Sequence, residues 1–384
     1  MEKDKVKENA LEKDVVDRVI LKEKVLSDIS VVIQGKVFGL PGDVYENQQT
    51  LQCIESVRSL MPKAEIILST WDGTDVSHLD FDKLILNEDP GAIAYSIVEP
   101  NFFNNNKRQT ISTYNGLKAA TKTYAVKMRG DCKFSDTDFT DYLMEHPRGE
   151  KYRFFKQRIV IPTKYTRNPR RIAQLIHPSD IFQIGLLEDL LDLWDIPLQP
   201  EPQTTRAIPI EKKIFNNALD WGHFRMKFGA EQYNWHMLCK KHGLNIELKH
   251  YSHIPYDKIL ASDISIINNF IIDDALILGV LLPKKMHSRP IRDLYTHEEW
   301  KELSLKYSKG VSRLYELKLI LVVYYSNVSR IVWRIQHRIG KFGFANLFKS
   351  MLPYLRPGIR DVRNSQPQVL HANESPGSNL STIK

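Results

Sequence analysis

The chain has few cysteines, no long apolar run and none of the short motifs that mark the commonest nucleotide and hydrolase sites. Cys53, Cys132 and Cys239 are the only three cysteines in 384 residues, widely spaced and odd in number. They suggest neither a disulfide framework nor a CxxC metal pair, and so point to a reducing compartment. The longest apolar run covers residues 319–325, far short of the roughly 20 residues that a membrane span needs. The opening MEKDKVKENALEKDVVDRV alternates charges and lacks the apolar core of a signal peptide. A cytoplasmic protein that does not cross a bilayer is therefore expected. GxxxxGK followed by Ser or Thr, GxGxxG and GxSxG are all absent, which disfavours P-loop, dinucleotide-binding and hydrolase-elbow readings. Glu231 and His236 are not spaced as an HExxH pair, the 12 histidines are scattered, and no internal repeat occurs.

What is present describes an ordinary folded protein, with 42% hydrophobic and 26% charged residues. The net charge of +8 becomes informative once located. Residues 303–360 hold eleven Lys and Arg against one acid, Glu316, so that segment carries +10 and the remainder 8 − 10 = −2. A nucleic-acid-binding core would itself be basic; here the basicity belongs to a C-terminal appendage, and no nucleic-acid partner is expected.

Along the chain, residues 1–27 read as a charged helical lead-in. Short apolar, β-branched runs at 28–34, 64–71, 83–86 and 123–128 end in turn residues and read as strands, with helices expected at 47–60 and 107–120. That alternation predicts an α/β domain, residues 28–285, with a mostly parallel sheet flanked by helices. A further strand is expected at 153–161, a basic loop at 162–171, and helices at 186–194 and 230–239. Residues 286–362 read as a basic amphipathic helical region, with Val328, Ile331, Val332, Ile335 and Ile339 on one face beside Arg330, Arg334 and Arg338. Residues 363–384 read as a disordered tail.

Ligands of such sheets bind beyond the carboxyl ends of the strands, which singles out Gln34, Gly35, Thr70, Asp89, Arg129 and Asp131. Asp131 could hold a divalent cation through hard oxygen ligands. Lys127, Arg129 and Lys133 alternate with it, and strand periodicity would put all four on one face, an environment suited to phosphate. The competing reading is a solvated salt-bridge cluster.

The fragments "ISVVIQG", "AEIILSTW", "LNEDPG", "NKRQTISTYNGLKAATKTYAVKMRGD", "HPSDIFQIG" and "AEQY" occur in this order over residues 28–255. In that order they resemble the WavE lipopolysaccharide-synthesis family. The resemblance implies a GT-A-like (Rossmann-like) glycosyltransferase acting on a nucleotide-sugar donor, with a glycan or lipid-linked glycan of the bacterial surface as acceptor. By the same resemblance Gln34 and Gly35 would face the nucleotide, Asp89 the base, and Arg108 the diphosphate, with Lys127 and Arg129 beside it; Thr70, at a strand's carboxyl end, is a further nucleotide-sugar candidate. Asp131 would bind Mn²⁺ or Mg²⁺, completed by His253 or His250. Only the last position of Arg129–Gly130–Asp131 is acidic, where many GT-A proteins have two acids. Gly185 and Asp180 would lie on the donor-sugar side, and Glu231 would be the general base, where the start of a helix favours its ionised form.

The basic C-terminal helix could lie on an anionic inner leaflet of the cytoplasmic membrane. Two alternatives stand beside the transferase: a sugar nucleotidyltransferase, although "QGKVFGLPGD" lacks an Arg, and a catalytically inactive membrane-peripheral scaffold.

Overall fold

The computed structural model describes residues 19–20, 22–94, 103–143, 146–200, 227–286 and 293–342; in the last helix side chains are described as far as Ser329 and at Gln336. The tail expected at 363–384 and residues 201–226 lie outside the described residues, as does most of the lead-in expected at 1–27.

Strand β1 (Ile29–Gln34) is buried along its whole length, as a central strand covered on both faces must be. Helix α1 (Gln49–Leu60) leads to β2 (Glu65–Trp71) and β3 (Lys83–Asn87). A short hairpin, β4 (Ile93–Ala94) with β5 (Phe103–Asn104), precedes helix α2 (Asn106–Ala119) and strand β6 (Tyr124–Arg129). After β7 (Lys133–Phe134) come β8 (Ile159–Pro162), β9 (Phe182–Leu186) and helix α3 (Leu187–Trp194). Helices α4 (Ala230–Lys241) and α5 (Ile259–Asn269) follow, then β10 (Phe270–Asp273), β11 (Val280–Leu281), α6 (His297–Ser308) and α7 (Arg313–Phe342).

Seven strands form one sheet in the order β10-β8-β9-β6-β1-β2-β3. Within it β1 pairs in parallel with β2 and β6, β2 with β3, and β10 with β8. Strand β9 alone runs against its neighbours, β6 and β8. The mostly parallel sheet flanked by helices therefore matches the α/β expectation. The chain winds outward from β1 through β2 to β3 and then returns to β6 on β1's other side. That reversal makes the carboxyl edge between β1 and β6, where Gln34 pairs with Arg129, a switch point of the kind that opens a ligand crevice.

Two sequence expectations change. The run 153–161 is a strand only from Ile159, because the preceding backbone donors go elsewhere. The amides of Phe154 and Phe155 donate to Asn269 Oδ1, and those of Lys156 and Gln157 to Asp189. Helix α6 also belongs to the main core, so a boundary at 286 coincides with no break in packing. Trp300 is fully buried and its Nε1 donates to the Phe270 carbonyl at 2.7 Å. The chain's contacts instead divide it into units of residues 1–337 and 338–384. In α7, Leu319 and Val323 are buried while Val328, expected on an apolar face, is exposed. Among the described residues no helix is long and apolar enough to cross a membrane.

Candidate functional site

Because β9 is antiparallel to β6, its first residue lies level with β6's last turns: Phe182 pairs with Met128. Asp180 and Ile181 are thereby carried to the same sheet edge as Arg129. The loop after β8 adds Tyr165, Arg167 and His177, and the starts of α2 and α4 add Asn106, Gln109 and Glu231. Together with Tyr251 and Met286 these side chains line a cleft of about 490 Å³. Asn106 joins the two helix starts by donating to Asn234 Oδ1 at 2.7 Å and to the Ala230 carbonyl at 3.3 Å.

The charges in this cleft are arranged unevenly. Burial, and then the nearby Glu231 carboxylate, push Asp180 up to about 6 against the pull of Lys127. Lys127 is fully buried beneath the cleft and its Nζ donates to the Asp180 carbonyl oxygen, with the Trp194 ring 5.0 Å away. Burial draws that ammonium down to about 8. His177, buried and drawn down to about 3 by desolvation and by Arg167, is neutral at physiological pH. Its Nε2 shares a hydrogen bond with the Tyr251 hydroxyl at 3.0 Å and lies 3.8 Å from Glu231 Oε2. With a neutral imidazole, the approach to Glu231 is a polar contact and not an ion pair. Glu231 itself retains 20% side-chain exposure, open to a ligand in the cleft.

Of the residues expected from the sequence, Asp180, Glu231 and Arg129 meet in this cleft. Lys127 supports it from below. Gln34, Gly35, Thr70, Asp89 and Arg108 lie along the neighbouring part of the same edge and are not in its lining. There Gln34 Oε1 accepts from Ser112 at 2.8 Å, and Gly35, at φ 94°, donates its amide to the Ser69 carbonyl. Thr70 is buried, and Asp89 and Arg108 form a bidentate pair at 2.7 and 2.6 Å. That pairing holds the Asp89 carboxyl below its ordinary value.

Gly185 sits mid-strand opposite Ala125, and an added Cβ would come 3.2 Å from Ile159 Cγ1, so its smallness serves sheet packing. Lys133 is exposed on the separate strand β7 and reaches Gln52, so the expected common face of four alternating residues does not form. Strand β6 ends at Arg129, and Asp131 folds back beneath it.

The residues available to a divalent cation do not fit one. Both oxygens of Asp131 are engaged by Arg129, from Nε at 2.8 Å and Nη2 at 2.7 Å. His253 Nδ1 accepts from the Lys249 amide and, like Asp131, is outside the cleft lining; His250 lies beside it with ring centroids 5.7 Å apart. Among the described residues no group of three or more His, Cys, Asp or Glu side chains is placed to hold a metal ion.

Sequence reasoning did not select Arg167, His177, Gln109 or Tyr251. His177 opens the quoted "HPSDIFQIG" fragment and Arg167 lies in the basic loop, so both were in view without a signal for their convergence.

Comparison with known proteins adds a family. A family model described as WavE lipopolysaccharide synthesis matches residues 29–337, and the chain belongs to this family. No curated protein sequence is significantly similar to the chain. Among solved structures, HddC from Yersinia pseudotuberculosis is 12% identical, with 43% of this chain and 79% of that one covered at a TM-score of 0.24. The apo-form glycosyltransferase GlyE of Streptococcus pneumoniae TIGR4 is also 12% identical, with 78% of this chain and 63% of GlyE covered at a TM-score of 0.28.

Proposed function

We propose that this chain is a glycosyltransferase that moves a sugar from a nucleotide-sugar donor to a hydroxyl of a bacterial surface-glycan acceptor, in the lipopolysaccharide synthesis that gives its family its name. The observation that carries this reading is the convergence of two carboxylates and two guanidinium groups in one cleft at the carboxyl edge of the sheet. Glycosyl transfer needs both kinds of group. The acceptor oxygen bonds to the anomeric carbon while the bond from that carbon to the phosphate oxygen breaks. The electron pair leaves with the nucleoside diphosphate, and the hydroxyl proton needs a base.

Glu231 is the base in this scheme, being the more exposed acid of the pair. Asp180, more deeply buried and harder to ionise, hydrogen-bonds a sugar hydroxyl. His177 and Tyr251 hold Glu231's surroundings neutral and in register. Membership of a lipopolysaccharide-synthesis family supports this acceptor class.

Calorimetry with a panel of UDP-, GDP-, ADP- and CMP-sugars tests the donor, and at least one should bind. With that donor and a lipopolysaccharide-core acceptor, Glu231→Gln should spare donor affinity and lower turnover by about 10²–10⁴, the usual contribution of a general base. Absence of binding to every donor in the panel would remove the transferase reading. Unaltered turnover in Glu231→Gln would remove the assignment of the base.

A further inference from the structure

Arg167 lines the cleft with 9% of its surface exposed, and its Nε has no hydrogen-bond partner. Its backbone is well anchored, donating to the His177 carbonyl and bridging to Leu294. The guanidinium is different: among the described residues no carboxylate lies within ion-pair distance of it, and its neighbour is the Tyr165 ring at 6.0 Å. Among the described residues, two other arginines have partners for their guanidinium groups. Arg158 donates to three carbonyls and to Ser304, and Arg170 grips Asp263 through both terminal nitrogens. A buried guanidinium without an anion is costly to keep, which makes Arg167 a candidate anion-binding group.

The surroundings suit an anion. His177, which packs behind Arg167, stays neutral and does not compete for it. The starts of α2 and α4 border the same cleft, where the helix dipoles favour negative charge. Arg129 is the second guanidinium in the lining, and its own carboxylate, Asp131, lies beneath it with a side chain that is 0% exposed.

We propose that Arg167, with the Asp131-paired Arg129 beside it, binds the phosphate groups of the leaving diphosphate, so that the Arg167 guanidinium supplies the counter-charge that a carboxylate-bound metal ion would otherwise provide. The planar fork of an arginine matches two phosphate oxygens at once. As the bond from the anomeric carbon to the phosphate oxygen breaks, the charge gathering on that oxygen is met by groups already in place. The inference rests on the transferase reading for the identity of the anion, but the anion site itself does not depend on it.

The test is calorimetry of inorganic pyrophosphate with the full chain, in EDTA and with Mn²⁺. Binding is expected in EDTA, with no strengthening by Mn²⁺. Arg167→Ala should weaken it by about tenfold or more, the scale of a lost charge-assisted contact, and Arg167→Lys by less. Arg108→Ala, at the outer patch, should leave it unchanged. Circular dichroism and a thermal transition matching the parent establish that each variant folds. Pyrophosphate binding that requires Mn²⁺, equal binding by Arg167→Ala, or loss in Arg108→Ala instead would each overturn the inference. Donor sugars that bind the parent and Arg167→Ala equally would sink the anion site and leave the transferase reading intact. Pyrophosphate bound through Arg167 with no sugar donor bound at all would do the reverse.

Discussion

Arg129 holds Asp131 in a bidentate pair at 2.8 and 2.7 Å, and the two members of that pair are unequally buried: the aspartate side chain is 0% exposed and the arginine 30%. The asymmetry orders the consequences of breaking it. Arg129→Ala takes the paired charge away from a carboxylate with no access to water, which costs about 3–5 kcal/mol. Asp131→Ala leaves a guanidinium that can still reach solvent, and should cost only about 1–2 kcal/mol. Urea unfolding of the two variants checks the ranking. A larger loss in Asp131→Ala would mean that the aspartate has a tighter role than neutralising Arg129.

Asp180 gives the stability of the fold a pH dependence. Its carboxyl is raised from 3.8 to about 6, first by burial and then by Glu231, so the folded chain binds this proton more tightly than the unfolded chain. The resulting stabilisation is fully present below about pH 4 and is lost as pH rises through about 6. Asp180→Asn removes the titration while keeping the shape. It should therefore stabilise the protein by about 1–3 kcal/mol at about pH 8 relative to its effect at about pH 4. Denaturant melts of parent and variant across this range measure the difference. A pH-independent difference would show that Asp180 ionises freely.

The sheet was legible where burial on both faces demands uninterrupted apolar residues. "ISVVI" and "EIILS" are short, β-branched, largely apolar runs bounded by turn residues, as buried strands are, and β1 and β2 lie where those runs do. Strand β9 was not legible, because Gln183 interrupts its pattern; that amide is used internally, accepting from Trp194 Nε1 at 2.8 Å. Missing β9 also hid the reversal that carries Asp180 to Arg129. At the site, Asp180 and Glu231 could be picked by residue type and resemblance. Arg167 and His177 could not: His177's meaning comes from Tyr251 and Glu231, which lie far along the chain and reach it only through the fold, and Arg167's from the cleft it lines.

A second buried pair ties the C-terminal helices to the domain. Arg170 donates to both oxygens of Asp263, at 2.9 and 2.6 Å, and the Tyr295 and Tyr307 hydroxyls donate to the same carboxylate. Burial alone would raise Asp263, but Arg170 and the two hydroxyls overcome it and hold the carboxyl below its ordinary value. Its stabilisation is therefore present above the unfolded value and is lost as acid protonates it in the folded state. Asp263→Ala should cost about 3–5 kcal/mol by leaving Arg170 unpaired, whereas Tyr307→Phe should cost about 1 kcal/mol. Thermal melts near neutral pH compare the two, and equal losses would mean that the hydroxyl and not the guanidinium dominates the cluster.

Helix α2 presents both Gln109 to the cleft and Gly116 to the sheet, so its seating on the sheet controls the site. A Cβ at Gly116 would meet Val32 Cγ1 at 2.4 Å and Ser69 Cβ at 3.0 Å, on the adjacent strands β1 and β2. Both neighbours are fully buried and have no room to retreat. Gly116→Ala should therefore lift the helix and cost about 1–3 kcal/mol, the usual penalty of overpacking, even though alanine is the better helix former. Val32→Ala removes the closest atom, so the double variant Gly116→Ala/Val32→Ala should be more stable than the sum of the single losses predicts. Urea titration of the four proteins gives the coupling, and strict additivity would show that the helix does not rest on Val32.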